Sequence, residues 1–143
     1  MVRRLFLLFL LVSLQTNAQT SKSIDSIFWV KNYLLDIQKT VNSKENHKQK
    51  TEKLTVLIRS STKQKAVFGR NIHLIAPTHQ EAEEMKTSLN FVLQSMVLYK
   101  SDLKEQPKKP AVTNELAYLN KNITILVHKI NHYCKVHPNL NEK

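Results

Sequence analysis

Four residues near the C-terminal end have side chains that can bind metal ions, namely His128, His132, Cys134 and His137. On a helix, the four-residue spacing of His128 and His132 can present two imidazoles to one ion. At about 100° per residue, however, Cys134 and His137 lie about 240° and 180° away from His128. One helix therefore cannot direct all four side chains at a single ion. The sequence predicts solvent-exposed histidines and no metal, with a two-histidine surface site as the alternative.

Cys134 is the only cysteine in the chain, so it has no partner for an intramolecular disulfide. It falls on the apolar side of the last predicted helix, beside Val127 and Ile130, where a thiol behaves as a small core residue. An odd cysteine in an exported protein can instead form an interchain disulfide. A role as nucleophile, with His137 as the base, is disfavoured so close to a chain end. We predict a buried thiol at Cys134, with an interchain disulfide as the alternative.

Sequence patterns that mark the common enzyme classes are absent. The chain has one glycine, whereas the phosphate-binding loops of nucleotide-binding folds need several. It has no nucleophile elbow, no zinc-protease motif and no calcium-binding loop. The Glu-x-x-His pairs of di-iron bundles are also missing. We therefore predict a protein that is not an enzyme and binds no cofactor.

The charge of the chain is strongly positive and unevenly distributed. Lysine and arginine number 22 against 11 aspartate and glutamate residues, which gives a formal net charge of +11. Residues 44–70, here called the basic segment, carry eight basic residues and two acidic ones. Such a zone attracts anionic partners over long distances, but a lysine-rich face can also serve solubility alone. The predicted anion-binding residues are Lys44, Lys48, Lys50, Lys53, Arg59, Lys63, Lys65 and Arg70.

The composition of the basic segment narrows the kind of anionic partner. Lysine outnumbers arginine within it, which suits diffuse attraction better than bidentate recognition. Phe68 is its only aromatic residue, so stacking of nucleic-acid bases is a poor explanation of the charge. For an exported protein, the candidate partners are acidic glycans, anionic lipid headgroups, acidic protein surfaces and extracellular nucleic acid.

The second half of the chain predicts two long helices. Apolar residues recur there at alternating spacings of three and four, which places each set on one helix face. Thr78 and Glu81 form a capping box at the start of the first set. We expect helices over 78–105 and 111–137 that fold back on each other as a hairpin. The two stripes consist of Ala82, Met85, Leu89, Val92, Met96, Tyr99 and Leu103, widened by Leu93 and Val97, and of Val112, Leu116, Leu119, Ile123, Leu126, Ile130, Tyr133 and His137.

The first half predicts two helices with a weaker pattern. A second helix over about 51–66 has a thin buried face, and Gly69 is expected to end it. Residues 72–75 are then expected to be extended and partly buried. The break between the two helices falls within residues 42–50, and one bent helix over 23–66 is the alternative. The first apolar stripe consists of Ile27, Val30, Leu34, Ile37 and Val41, and the second of Leu54, Leu57 and Ile58.

Residues 1–18 are typical of a cleavable signal peptide. Two arginines precede an apolar run over 5–14, and small residues allow cleavage after Ala18. The run is too short to span a membrane, which needs about 20 apolar residues, so we expect a secreted or periplasmic protein. The predicted fold class is all-α, an antiparallel up-down bundle of four helices within residues 19–138 whose second helix is the weakest. Residues 139–143 are expected to form a disordered tail.

These expectations support three functional hypotheses. The first is a small exported, non-enzymatic helical protein that binds another macromolecule, either a protein or an anionic partner of the basic segment. The second is a secreted signalling ligand, since size, export and four helices resemble the cytokine class. Cytokine bundles usually have disulfides and long crossover links, and this chain has one cysteine and short links. The third is a ligand-binding module that depends on the Cys134 thiol or the histidines.

Overall fold

The computed structural model describes residues 24–105 and 111–136, and this part of the chain is almost entirely helical. It contains four α-helices: α1 over residues 24–42, α2 (His47–Asn71), α3 (His79–Glu105) and α4 (Ala111–Val136). A short 3₁₀ helix, Ile72–Leu74, follows α2. No strand occurs in these two stretches, so the all-α prediction is confirmed. The predicted leader 1–18, the residues joining α3 to α4 and the predicted tail 139–143 lie outside the described residues.

Side-chain caps begin two of the helices. The Asn46 side chain accepts a hydrogen bond from the backbone N–H of Gln49 at 3.0 Å at the start of α2. Thr78 Oγ1 accepts one from the backbone N–H of Glu81 at 3.1 Å at the start of α3. Each cap satisfies a donor that would otherwise lack a partner within the helix. A capping box also predicts that the Glu81 carboxylate accepts a hydrogen bond from the backbone N–H of Thr78. Here the Glu81 carboxylate pairs with Lys129 of α4 instead.

The chain between α1 and α2 is a true break, so the alternative of one bent helix is wrong. Residues 43–46 are non-helical. The Ser43 hydroxyl donates to the backbone carbonyl of Thr40 at 2.9 Å, and Lys50 Nζ donates to the carbonyl of Val41 at 3.1 Å. These two bonds satisfy carbonyls in the last turn of α1, which have no partner further along the helix.

Helix α2 is longer than the sequence predicts, and Gly69 does not end it. The helix begins before Thr51 and continues to Asn71, with Gly69 inside it and at a negative φ. The predicted extended segment after it is wrong as well, since Ile72–Leu74 form a 3₁₀ helix. The reason is burial: Phe68 and Ile72 are fully buried, and residues four apart share one helix face. Continued helical winding therefore keeps both side chains on the buried face of one helix.

The position of Gly69 leads to a stability prediction. An added Cβ at Gly69 would meet no atom within 4 Å, and glycine inside a helix costs about 0.5–1 kcal/mol relative to alanine. We expect Gly69→Ala to raise the free energy of unfolding by that amount, measured by urea denaturation. If Gly69 ended the helix in a left-handed conformation, the same change would lower the free energy of unfolding.

The core is built from the predicted apolar stripes. The five stripe residues predicted for α1 and the seven main ones predicted for α3 are buried, and Leu54 of α2 is buried with them. Leu57, Ile58 and Leu93 are only partly buried. Val97, predicted to widen the α3 stripe, is instead half exposed, since its position lies about 100° around the helix from the buried Met96. In α4 the buried residues are Leu119, Ile123, Leu126, Ile130 and Cys134. The side chains of Val112 and His137 lie outside the described part of the chain.

Polar side chains join α1 to α4 along the edge of this core. Asn42 and Asn120 exchange two amide hydrogen bonds, at 2.7 and 2.9 Å. Gln38 Nε2 donates to Thr124 Oγ1 at 3.2 Å, and Lys31 Nζ donates to Asn131 Oδ1 at 3.2 Å. Across these three contacts the residue number falls from 42 to 38 to 31 in α1, while it rises from 120 to 124 to 131 in α4. These bonds hold the two helices in one register.

Candidate anion-binding surface

Four of the eight predicted cations form one line along the solvent face of α2, which we call the outer basic stripe. The line consists of Lys48, Arg59, Lys63 and Arg70, all of them exposed. At about 100° per residue, these positions fall within a sector of about 60° on the helix. The stripe is about 33 Å long, since each helical residue rises about 1.5 Å. One helix thus holds four cations on a single straight line.

The charges of the outer basic stripe are not neutralised by the rest of the described chain. None of the ion pairs within residues 24–105 and 111–136 includes a member of the stripe. Glu52 is the single acidic residue of α2, and its position falls within the same sector. Four cations against one carboxylate leave a net charge of +3 facing solvent, which favours approach by an anion.

Two of the predicted cations are occupied by contacts within the chain. Lys53 pairs with Glu45 in the connection before α2, and this contact is the main reason that the pKa of Glu45 lies below its usual value. Lys50 donates to the carbonyl of Val41, where a positive charge stabilises the negative end of the α1 dipole. These two lysines stabilise the junction of α1 and α2, and their role differs from that of the stripe.

The remaining two cations lie apart from the stripe. Lys44 is exposed in the connection between α1 and α2. Lys65 lines an open groove of about 610 Å³ between α2 and α3, together with Ser61 and Leu98. Phe68, the aromatic residue of the basic segment, is 0% exposed, so it offers no ring for stacking. The structure therefore separates the eight predicted residues into a stripe of four, two junction lysines and two isolated cations.

The thiol and histidine positions show no assembled site. In the described stretches, no three His, Cys, Asp or Glu side chains lie close enough together to hold a metal ion. Cys134 is 4% exposed, and desolvation by burial raises the pKa of its thiol. This direction disfavours the thiolate, which is the nucleophilic form. An interchain disulfide at Cys134 stays a prediction, and it would require the sulfur to leave the core. His128 and His132 are exposed, and His137 lies outside the described residues.

Two exposed apolar residues near the stripe were not singled out by the sequence analysis. Trp29 of α1 and Val56 of α2 are each 65% exposed, the highest values among the large apolar side chains described. The periodicity does predict that both are exposed, because neither falls on the buried stripe of its helix. The sequence pattern alone does not explain why an apolar side chain occupies the exposed face of either helix.

Comparisons with known proteins do not assign the chain to a family. No protein-family model matches it, and it has no significant match among curated proteins or solved structures. The structure itself adds one exclusion, since no helix of the described part is long and apolar enough to cross a membrane.

Proposed function

We propose that this is an exported, non-enzymatic helical bundle that binds an anionic macromolecule or surface through the outer basic stripe of α2. The observation that carries the proposal is the alignment of Lys48, Arg59, Lys63 and Arg70 on one solvent face without an ion-pair partner in the described chain. Like charges on one helix repel each other at low ionic strength. An external anion would relieve that repulsion.

The proposal includes an antiparallel up-down arrangement of the four helices. Tyr33 of α1 donates to the carbonyl of Leu57 in α2 at 2.9 Å, and Lys50, near the start of α2, reaches the end of α1. Glu81 at the start of α3 pairs with Lys129 near the end of α4. Together with the bonds between α1 and α4, these contacts support neighbouring helices that run in opposite directions. The solvent face of α2 is then free along its whole length.

Export is proposed from residues 1–18, which carry two arginines, an apolar run and small residues before Ala18. Secretion or release into a periplasm would bring the bundle into contact with acidic glycans, lipid headgroups and acidic proteins. The sole cysteine fits this proposal, since the fold is held by its apolar core and needs no intramolecular disulfide.

A heparin column tests whether the stripe binds a polyanion. The test variant replaces all four stripe residues with glutamine, which has a similar helix propensity. We expect it to elute at clearly lower salt than the wild-type protein. If all four residues contact the polyanion, the slope of log affinity against log salt should fall by about three, as judged from nucleic-acid binding.

A matched control separates the stripe from the overall charge. The control variant removes four exposed lysines elsewhere on the bundle, so that its net charge equals that of the test variant. We expect the control to be retained nearly as well as the wild-type protein. Equal losses in the two variants would show that net charge, and not the stripe, governs retention, and would overturn the proposal. The control positions are Lys39, Lys104, Lys121 and Lys135.

A further inference from the structure

We propose that the anionic partner is a lipid bilayer with acidic headgroups, and that Trp29 and Val56 enter its interface beside the outer basic stripe. We call these six residues the docking surface. The inference rests on the proposed function, because it names the partner of the same stripe. It also goes further, since it gives a role to the two most exposed large apolar side chains of the described structure.

Val56 lies beside the line of charges on α2, about 20° outside the sector that holds the stripe. Arg59 and Lys63 follow it by three and seven residues, so they lie about 60° and 20° away around the helix at 100° per residue. Glu52 precedes it by one turn. Val56 is 65% exposed, although helices usually keep such a side chain on their apolar face. Along the helix Val56 lies between Lys48 and Arg59, and an apolar side chain between two cations matches the boundary between headgroups and acyl chains.

Trp29 lies at the exposed edge of α1 beside α2, about 40° around the helix from Tyr33. Tyr33, one turn later, donates to the carbonyl of Leu57, which places that side of α1 against α2. Asp36 lies seven residues after Trp29, about 20° away around the helix, and it lines a groove of about 390 Å³ together with Val56. Trp29 and Val56 therefore lie on one side of the bundle, the side formed by α1 and α2.

The combination of groups favours a bilayer over a soluble polyanion. Tryptophan concentrates at membrane–water interfaces, where its ring is apolar and its N–H remains hydrated. Basic residues near an acidic leaflet contribute about 1 kcal/mol each to binding. Asp36 and Glu52 lie on the same side and reduce the attraction, so apolar contacts must contribute as well. A glycan would contact the stripe but offers no acyl layer for Trp29 and Val56.

Trp29 is the only tryptophan in the chain, so its fluorescence reports directly on the docking surface. We would add vesicles of phosphatidylcholine alone, or with phosphatidylglycerol at one lipid in three, and record the emission maximum. We expect a shift to shorter wavelength with the acidic vesicles and none with the neutral ones. Lipids brominated on the acyl chain should quench the emission if the ring enters the interface.

Sedimentation with the same vesicles measures binding independently of tryptophan fluorescence, so it also applies to a variant that lacks Trp29. We expect Trp29→Ala to weaken binding to acidic vesicles about tenfold, on the scale of the burial of a large apolar side chain. The glutamine variant of the stripe should weaken it roughly thousandfold, since it removes four such contributions. Phe91→Ala is the matched control, because Phe91 is an exposed aromatic residue on α3, and it should bind as the wild-type protein does. All variants are prepared in the exported form that begins at Gln19, so that the apolar run of the leader makes no contribution to vesicle binding.

Heparin retention distinguishes failure of this inference from failure of the proposed function. Trp29→Ala should be retained on heparin as well as the wild-type protein, because the stripe is intact. Stripe-dependent retention on heparin without binding to acidic vesicles would overturn the membrane inference and leave the proposed function standing. Vesicle binding that is unaffected by Trp29→Ala would also overturn it. If neither heparin retention nor vesicle binding depends on the stripe, both the membrane inference and the proposed function are overturned.

Discussion

Ile123→Asp is expected to unfold the protein or to lower its free energy of unfolding by more than about 4 kcal/mol. Ile123 is fully buried at the centre of α4. The change removes an apolar side chain from the core and leaves a carboxylate there without a partner, and each of these effects costs several kcal/mol. Small domains are stable by only about 5–15 kcal/mol. Far-UV circular dichroism during urea denaturation measures the loss.

Ile125→Asp is the matched control, two residues further along the same helix. Ile125 is 44% exposed, so the new carboxylate can remain hydrated. Isoleucine and aspartate have similar helix propensities, and the two variants carry the same charge. We expect Ile125→Asp to cost about 1 kcal/mol or less. Similar losses in the two variants would contradict the orientation of α4 described above.

Phe68→Ala is expected to lower the free energy of unfolding by about 3–5 kcal/mol. Phe68 is fully buried in the last turns of α2, beyond the point where the sequence predicts that the helix ends. The loss should come from the cavity left in the core, because alanine itself favours the helix. Urea denaturation with detection by circular dichroism provides the measurement.

Phe91→Ala serves as the control for this prediction too. Phe91 is 47% exposed on α3, so truncation should change the free energy of unfolding by less than about 1 kcal/mol. A small loss for Phe68→Ala, equal to that of the control, would mean that the end of α2 is not packed against the core. The extension of α2 to Asn71 would then be wrong.

Helices α3 and α4 could be predicted nearly to the residue, because local signals and long-range packing agree there. Thr78 supplies a cap, and the three-four spacing continues through seven apolar side chains in α3. All of the main α3 stripe is buried in the structure. The same spacing predicted the burial of Leu119, Ile123, Leu126 and Ile130. Where the periodicity is unbroken, the buried face follows directly from it.

The end of α2 could not be predicted in this way, because local propensity and packing disagree. A polar run from Ser60 to Gln64 and a glycine at position 69 both argue for an ending. The burial of Phe68 and Ile72 outweighs them. That burial depends on which helices surround α2, and the spacing of residues within α2 contains no such information. Tertiary packing commonly overrides a propensity of this size.

The candidate surface was only partly readable from sequence for a similar reason. Composition indicates that the segment 44–70 is basic, but it cannot separate the cations that remain free from those that the fold uses. Lys50 and Lys53 find partners in α1 and in the connection that follows it. Arg59 and Lys63 are exposed, and neither takes part in an ion pair within the described residues. The distinction depends on where the break between α1 and α2 falls, and no glycine or proline marks that break.

The two sides of α4 should respond differently to acid. On the α1 side, none of the bonds made by Asn120, Thr124 and Asn131 involves a carboxylate. On the α3 side, Lys129 pairs with Glu81, and hydrogen bonding to Lys129 and Tyr133 lowers the pKa of that carboxylate. A lowered pKa stabilises the fold above the ordinary value, and the contribution disappears as the pH falls through the lowered value. Acidification should therefore weaken the polar link between α3 and α4, while the hydrogen bonds between α4 and α1 keep their strength.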